Sequence, residues 1–236
     1  MEQKEIVDKI VKEIANYFKS VNVKTAIIGL SGGIDSALAA KLCILALGKE
    51  NVICVLMPEI GLSKQENIDD AKEFSESEKI HYLLQPINKI LLSYDLNIPI
   101  NDLAKMNLKA RVRANILYSY ANTFNALVIG TGNKTEARVG YGTKYGDLAC
   151  DLFVIGDLYK KEVFALAKYL KLSENIINKI PTAELFEGQT DEQELGISYD
   201  ELDKQLQSGN LSKEIKERVN NNEHKTKYPF IIKINN

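Results

Sequence analysis

Apolar residues recur at Ile6, Ile10, Val11, Ile14, Tyr17 and Phe18, and this spacing predicts an amphipathic helix over residues 3–19 that covers a core face. Thr25 to Leu30 is a short apolar run that reads as a strand. A polar, glycine-rich turn hands it over to Asp35–Leu47, whose Ala and Leu content favours helix until Gly48 stops it. The alternation repeats. Val52–Met57 (VICVLM) is a buried-type strand closed by Pro58, Ser63–Ser75 reads as helix, and Ile80–Leu84 as a third strand. Residues 101–123 predict a long helix, and Ala126–Gly130 (ALVIG) a fourth strand that opens into a second polar loop containing glycine, TGNKTE. Beyond residue 156 the pattern turns helical: Lys160–Tyr169, Ser173–Lys179, Tyr199–Gln207 and Ser212–Asn220, with a polar loop from Leu185 to Gly196.

Strands alternating with helices predict an α/β fold, a Rossmann-like, doubly wound, mostly parallel sheet flanked by helices on both faces. Ligands in such folds bind at the carboxyl ends of the strands, so both glycine-containing loops should share one edge. At 236 residues, residues 1–236 are read as a single domain. A formal net charge of −2 supplies no global basic field, which disfavours nucleic acid as a partner. Three widely spaced cysteines without CxxC argue against a disulfide framework or a thiolate zinc site and fit a reducing cytoplasm. No stretch approaches the roughly 20 apolar residues of a membrane span, and the N-terminus carries no leader pattern.

The chemistry begins at Gly29-Leu30-Ser31-Gly32-Gly33-Ile34-Asp35-Ser36. At a strand-to-helix turn, unpaired N–H groups and the helix dipole favour an anion, glycines allow close approach, and the two serines can donate hydrogen bonds. No lysine follows the glycines as in GxxxxGK[ST], and Gly32 and Gly33 are adjacent, unlike GxGxxG. Asp35 is the informative residue: a carboxylate beside phosphates repels them unless a hard cation such as Mg²⁺ lies between. A plain Gly-Gly turn with Asp35 and Ser36 as helix caps would use the same residues. Because SGGxDS recurs by chance on the order of once in several thousand such chains, the phosphate reading is preferred.

Downstream, Asn107, Arg111 and Asn115 share a helical stripe that could reach a carboxylate or phosphate, with Arg113 facing elsewhere. Gly130-Thr131-Gly132-Asn133-Lys134-Thr135-Glu136 mirrors the first loop, so Asp35 and Glu136 could hold one Mg²⁺ whose shell bound phosphates complete. A turn capping the next helix is the alternative. The segment Gly140–Asp151 packs glycines, Lys144 and two carboxylates into a loop that binding could order.

SGGIDS resembles the pyrophosphate loop of the ATP pyrophosphatases. NxxARxRxxxLY, GTGNKTE, GTKYGD, PTAEL (181–185), DEQELGISYDELD (from Asp191) and EHK (223–225) resemble, in order, the ammonia-dependent NAD synthetases. The resemblance implies ATP-dependent amidation of deamido-NAD by ammonia through an adenylate, with release of AMP and pyrophosphate, by a homodimer. It also implies residue roles. Gly29, Leu30, Ser31, Gly32, Gly33, Ile34, Asp35, Ser36, Thr131, Lys160 and Thr182 are similar to the family's ATP contacts, and Asp35 and Glu136 to its magnesium ligands. Arg111, Lys144, Asp151, His224 and Lys225 are similar to its deamido-NAD contacts.

Lys160 is expected to help bring two anions together. Asp147 is a candidate acceptor of the ammonia proton, a solvated loop carboxylate being the other reading. His224 and Lys225, in a polar tail, read as dinucleotide contacts rather than a general base. With the first strand near residue 24 no room is expected for a glutaminase domain before it, so free ammonia is the expected donor, a separate glutaminase subunit being the alternative supply. Two rivals are a tRNA-activating relative, which would carry a basic patch and often paired cysteines, and a nucleotide sensor without turnover, which would not need two acids placed for Mg²⁺. Leu185–Gly196 is a candidate lid.

Overall fold

The computed structural model describes residues 2–182, 185–186 and 188–234. Ala183 and Glu184 of the PTAEL segment and Glu187 of the expected lid lie outside the described residues. The chain begins with α1 (Gln3–Ser20), β1 (Thr25–Gly29), α2 (Ile34–Leu47), a 3₁₀ turn at Lys49–Asn51 and β2 (Val52–Leu56). It continues through α3 (Gln65–Glu78), β3 (His81–Leu84), α4 (Asn88–Leu92), α5 (Asp102–Phe124), β4 (Ala126–Gly130) and α6 (Lys134–Val139). The last part holds β5 (Leu152–Phe153), α7 (Lys160–Tyr169), α8 (Glu174–Ile177), α9 (Asp191–Leu195), α10 (Tyr199–Ser208) and α11 (Lys213–Thr226).

The strands form one parallel sheet in the order β3-β2-β1-β4-β5. The chain winds outward from β1 through β2 to β3 and then crosses to β4 on the other side of β1. The loops after β1 and β4 therefore diverge at the topological switch point, where such sheets bind ligands. Side chains alternate between two cores with the period of two that a pleated strand imposes. Ala26, Ile28, Cys54, Leu56 and Ile129 face α2 and its neighbours, whereas Ile27, Val55 and Val128 face Val112 and Ile116 of α5. Helix α2 is buried nearly all round, between α1 and α7, which holds its N-terminus rigidly against the end of β1. Cys43 and Cys54 lie free in this core as small apolar groups, and burial pushes the Cys54 thiol up to about 12.

The predicted elements recur within a few residues. The short elements α4, α9 and β5 were not expected, because two to five residues carry too little periodicity to announce an element, and α6 is the helix of the alternative reading in which the second loop caps it. The segment 185–196 is thus not a plain loop, since α9 lies in it. A third, smaller core of Val139, Leu195, Leu202, Leu206 and Ile215 joins α6, α9, α10 and α11. Helix α11 runs to Thr226, past the expected end at Asn220, because its last turns dock on the loop after α6.

Candidate active site

The two glycine loops meet as the alternation predicts. Gly33 is the N-cap of α2 and Asn133 the N-cap of α6, so two helix N-termini face the same end of the sheet. Ser36 braces the first loop: its hydroxyl donates to the Gly33 carbonyl (3.0 Å) and accepts from Ser31 N–H (3.2 Å). Asn133, fully buried, joins the two loops. Its Nδ2 donates to Asp35 Oδ1 (3.0 Å) and its Oδ1 accepts from Glu136 N–H (3.0 Å).

Both readings of Glu136 prove compatible, because its two oxygens divide the work. Oε2 accepts from Asn133 N–H (3.2 Å) to complete a capping box. Oε1 lies 3.7 Å from Lys160 Nζ and accepts from the Tyr199 hydroxyl (3.3 Å). Lys160 Nζ also donates to Asp35 Oδ2 at 2.5 Å, so the two carboxylates converge on one cation. The backbone around it explains why the ammonium sits there. Thr135 Oγ1 accepts from Lys160 N–H (2.9 Å) and donates to Asp203 Oδ1 (2.5 Å), while Asp203 Oδ2 accepts from Lys161 N–H (3.0 Å). The orphan donors of the first turn of α7 are satisfied and its first side chain is aimed under the loops.

Lys160 is 1% exposed. Burial works against its charge, but Asp35 and Glu136 outweigh it and hold the ammonium pKa above its ordinary value. Tyr199, whose ring lies 4.8 Å from that Nζ, donates to Asp191 Oδ2 (2.9 Å), and Tyr141 donates to Asp191 Oδ1 (3.0 Å) and Glu194 Oε2 (2.5 Å). Burial first, and then Glu136 for Tyr199 and Asp191 for Tyr141, keep these phenols protonated as donors. Burial also raises Asp191, with Lys160 opposing.

Glu136 is pushed up to about 8, first by burial and then by the Asp35 carboxylate, with Lys160 pulling the other way. Between 4.5 and about 8 the native chain therefore keeps a proton that the unfolded chain has released. Stability falls as pH rises through that window and is level above it. In Glu136→Gln the amide oxygen can still cap Asn133. The variant, without ligands, should melt about 3–6 °C above the parent at pH 9 and close to it at pH 5. An equal difference at both pH values would show that the carboxyl is not the source.

A cavity of about 820 Å³ opens over these loops. Its opposite wall is cationic. Arg111 Nε donates to the Lys144 carbonyl (3.2 Å), and Lys144 Nζ donates to the His224 carbonyl (2.7 Å) at the C-terminal end of α11. Gly140 ends α6 at φ +60°, and a Cβ there would stand 2.3 Å from Asn222 Cβ, so only glycine lets α11 approach. Lys225 Nζ then donates to the Gly140 carbonyl (3.0 Å). His224 and Lys225 thus sit on a docked helix rather than in a polar tail.

Gly29, Leu30, Ser31, Gly33, Ile34, Asp35, Ser36, Thr131, Glu136 and Thr182 all line the cavity, as do Arg111, Lys144, Asp147, His224 and Lys225. Asp147 Oδ1 accepts from Thr143 N–H (2.9 Å), and the surrounding protein raises its pKa although the open cavity leaves the residue accessible.

Three expected site residues do not line it. Lys160 lies one layer behind, under Asp35 and Glu136. Gly32 is turned against Asn67 of α3. Asp151 is drawn to the sheet, where Oδ2 accepts from Val128 N–H (2.7 Å) and Oδ1 from the Tyr118 hydroxyl (3.3 Å). The stripe on α5 divides too. Asn107 accepts from Thr143 Oγ1 (2.7 Å), Asn115 borders a separate groove between α4 and α5, and Arg113 lines the cavity while donating to the Met57 carbonyl (3.0 Å). Asn133, Tyr141, Asp191, Tyr199 and Asp203 carry no local signal except Asn133, whose N-x-x-E spacing to Glu136 is a capping-box signature.

The family model for NAD synthase matches residues 6–232. An NH(3)-dependent NAD(+) synthetase of Methanocaldococcus jannaschii is 45% identical over 224 residues, 92% of this chain and 86% of the relative. Among solved structures, the NMN synthetase from Francisella tularensis superposes with a TM-score of 0.89 at 34% identity, covering 98% of this chain and 99% of the other. The NH3-dependent NAD synthetase from Campylobacter jejuni subsp. jejuni NCTC 11168 gives a TM-score of 0.81 at 37% identity, covering 99% and 100%. Two glycine loops meeting at the switch point, two acids sharing one cation and this extent of likeness lead to one conclusion: the chain belongs to the NAD synthase family.

Proposed function

We propose that the protein converts the nicotinate carboxylate of deamido-NAD to the carboxamide of NAD, using ATP and ammonia and releasing AMP and pyrophosphate. One observation carries this reading: Asp35 and Glu136, from two loops 101 positions apart in the chain, converge on a single cation beside the phosphate nest. The cavity above them has a cationic far wall suited to a second anionic substrate. A substrate carboxylate oxygen attacks the α-phosphorus and the α–β bond breaks, so pyrophosphate leaves from the nest. Ammonia then attacks the acyl carbon, AMP departs, and a proton is lost to an acceptor for which Asp147 is placed. N–H groups of the nest, Arg111 and Lys144 hold the two anions in reach of each other.

The donor set fits Mg²⁺ held jointly with ATP. Among the described residues no group of three or more His, Cys, Asp or Glu could hold a metal, and Mg²⁺ commonly takes one or two carboxylates with phosphate oxygens. Held by Asp35 and Glu136, the ion would supply charge neutralisation on the phosphates. The exposed Leu92, Tyr94, Leu96, Ile98 and Leu103 around α4 and the start of α5 give a second copy an apolar surface to cover, which supports a homodimer. Among the described residues no helix is long and apolar enough to cross a membrane. The free cysteines Cys43, Cys54 and Cys150 suit a cytoplasmic enzyme. The fit to NH(3)-dependent relatives over most of their length supports one catalytic domain fed by free ammonia.

The experiment is product analysis. With Mg²⁺, ATP, deamido-NAD and ammonium, NAD, AMP and pyrophosphate should appear in equal amounts; ADP as product, or no dependence on deamido-NAD, would overturn the reading. The likeness to an NMN synthetase favours a second reading, in which the acid of the mononucleotide is the substrate. The same assay with that mononucleotide decides between them, through the ratio of the two kcat/KM values.

A further inference from the structure

The glycine loop lacks the lysine that follows the glycines in other phosphate loops, yet a lysine reaches it from elsewhere. Lys179, just beyond α8, donates from Nζ to the Gly32 carbonyl (3.2 Å) and pairs with Asp70 on α3. The pair is largely buried, with side chains 14% and 8% exposed. Neither the motif nor the resemblance assigns it a role.

Its chemical meaning follows from the peptide it touches. The Gly32–Gly33 bond is trans, so its carbonyl and N–H point in opposite directions. The carbonyl is committed to Lys179, and the N–H lies toward Ser31 Oγ (3.2 Å), on the wall of the nest. A peptide between two glycines has no Cβ on either side to oppose a flip. Gly32 already has φ +81°, and a Cβ on it would meet the Asn67 carbonyl at 2.2 Å, so glycine is required there and its freedom comes with it. Were the unit to flip, a carbonyl oxygen would face the anion where a donor belongs.

We propose that Lys179, neutralised and aimed by Asp70, is a positioning residue that locks the Gly32–Gly33 peptide in its anion-binding orientation. Because Asp70 cancels its charge, the lysine acts on the loop rather than as a free cation for phosphate. The segment that carries it leads directly into Pro181 and Thr182 at the cavity wall, so the lock also ties that wall to the nest.

This inference rests on the nucleotide reading of the loop, and its test separates the two. The full chain and its variants are titrated with inorganic pyrophosphate and Mg²⁺ by calorimetry, and the Gly33 amide is followed by NMR without ligand. Lys179→Met should weaken pyrophosphate binding and raise KM for ATP about tenfold, leave KM for the second substrate within about twofold, and shift the Gly33 amide and speed its exchange. Lys179→Arg should recover most of the binding, and Asp70→Asn should weaken it about threefold. Tighter binding in Asp70→Asn would mean that Lys179 is a direct phosphate ligand, and would overturn the proposal. So would an unmoved Gly33 amide with unchanged binding in Lys179→Met. If the parent chain fails to bind pyrophosphate, the nucleotide reading falls, and the ligand-free amide signal still decides the lock.

Discussion

Asp35→Asn is expected to lower turnover by at least about 10³-fold, the scale on which removal of a charge-stabilising group from a preorganised site is felt. Asn133 Nδ2 donates to Asp35 Oδ1 at 3.0 Å, and the amide oxygen of asparagine can take over that bond. The loop should therefore keep its shape. What is lost is the negative charge that shares a cation with Glu136, so residual activity should need more Mg²⁺ while the folded spectrum stays that of the parent. Steady-state kinetics against Mg²⁺, with circular dichroism as control, makes the measurement. Parent-like turnover in Asp35→Asn would show that this carboxylate does not hold the metal, whereas unchanged nucleotide affinity with no turnover in either protein would leave the sensor reading.

The second large effect concerns Lys160. Lys160→Met should destabilise the ligand-free protein by about 2–4 kcal/mol near neutral pH, below the top of the range for breaking a buried pair. The discount reflects Asp35, whose side chain is 20% exposed and so partly solvated. Without the ammonium, Asp35 and Glu136 face each other with Asp191 nearby, and Glu136 and Asp191, which Lys160 pulls down in the parent, rise further. The parent's Glu136 already holds its proton up to about 8, so its further rise in the variant makes the deficit grow as pH climbs above that value, and the deficit is smaller below it. Thermal or urea unfolding from pH 6 to 10 should show this slope; a deficit independent of pH would indicate lost packing instead.

Because Lys160 acts through Asp35 and Glu136 and does not line the cavity, kcat should also fall and its acid limb should move upward in pH. Lys160→Arg should restore the charge and part of the stability. A pH profile identical to the parent's would show that the ammonium does not set the state of the two acids.

Much of this was legible along the chain because it depends on neighbours in sequence. The β1 and β4 runs, the Gly-rich turn between β1 and α2 and the N-x-x-E spacing of Asn133 and Glu136 are local signals. The alternation of strands and helices then requires both loops to lie at the carboxyl edge. The two acids were therefore assignable to one site before any coordinates. The strand β5 was not: it holds two residues and owes its form to an edge pairing with β4.

The residues missed or misplaced share one physical cause. Asp151 has a polar side chain in a glycine-rich loop, which suits a ligand contact, but the sheet leaves the Val128 N–H to be satisfied, and Asp151 is the acceptor that reaches it. Lys160 looked like a phosphate contact because a lysine can reach one. Its place behind the acids comes from Thr135 and Asp203, which satisfy the first turn of α7 from other parts of the chain. His224 and Lys225 belong to a docked helix only because Gly140 admits Asn222.

The sequence by itself determined the winding of the sheet, the glycine loop after β1 and the meeting of Asp35 and Glu136 at one edge, since backbone periodicity and capping chemistry act over a few residues. Only the tertiary structure decided that Lys160 lies beneath those acids and that Lys179 and Asp70 grip the Gly32 carbonyl. Both follow from burial. A charge removed from water must find its partner wherever the packed chain places one, and that distance in sequence leaves no local pattern.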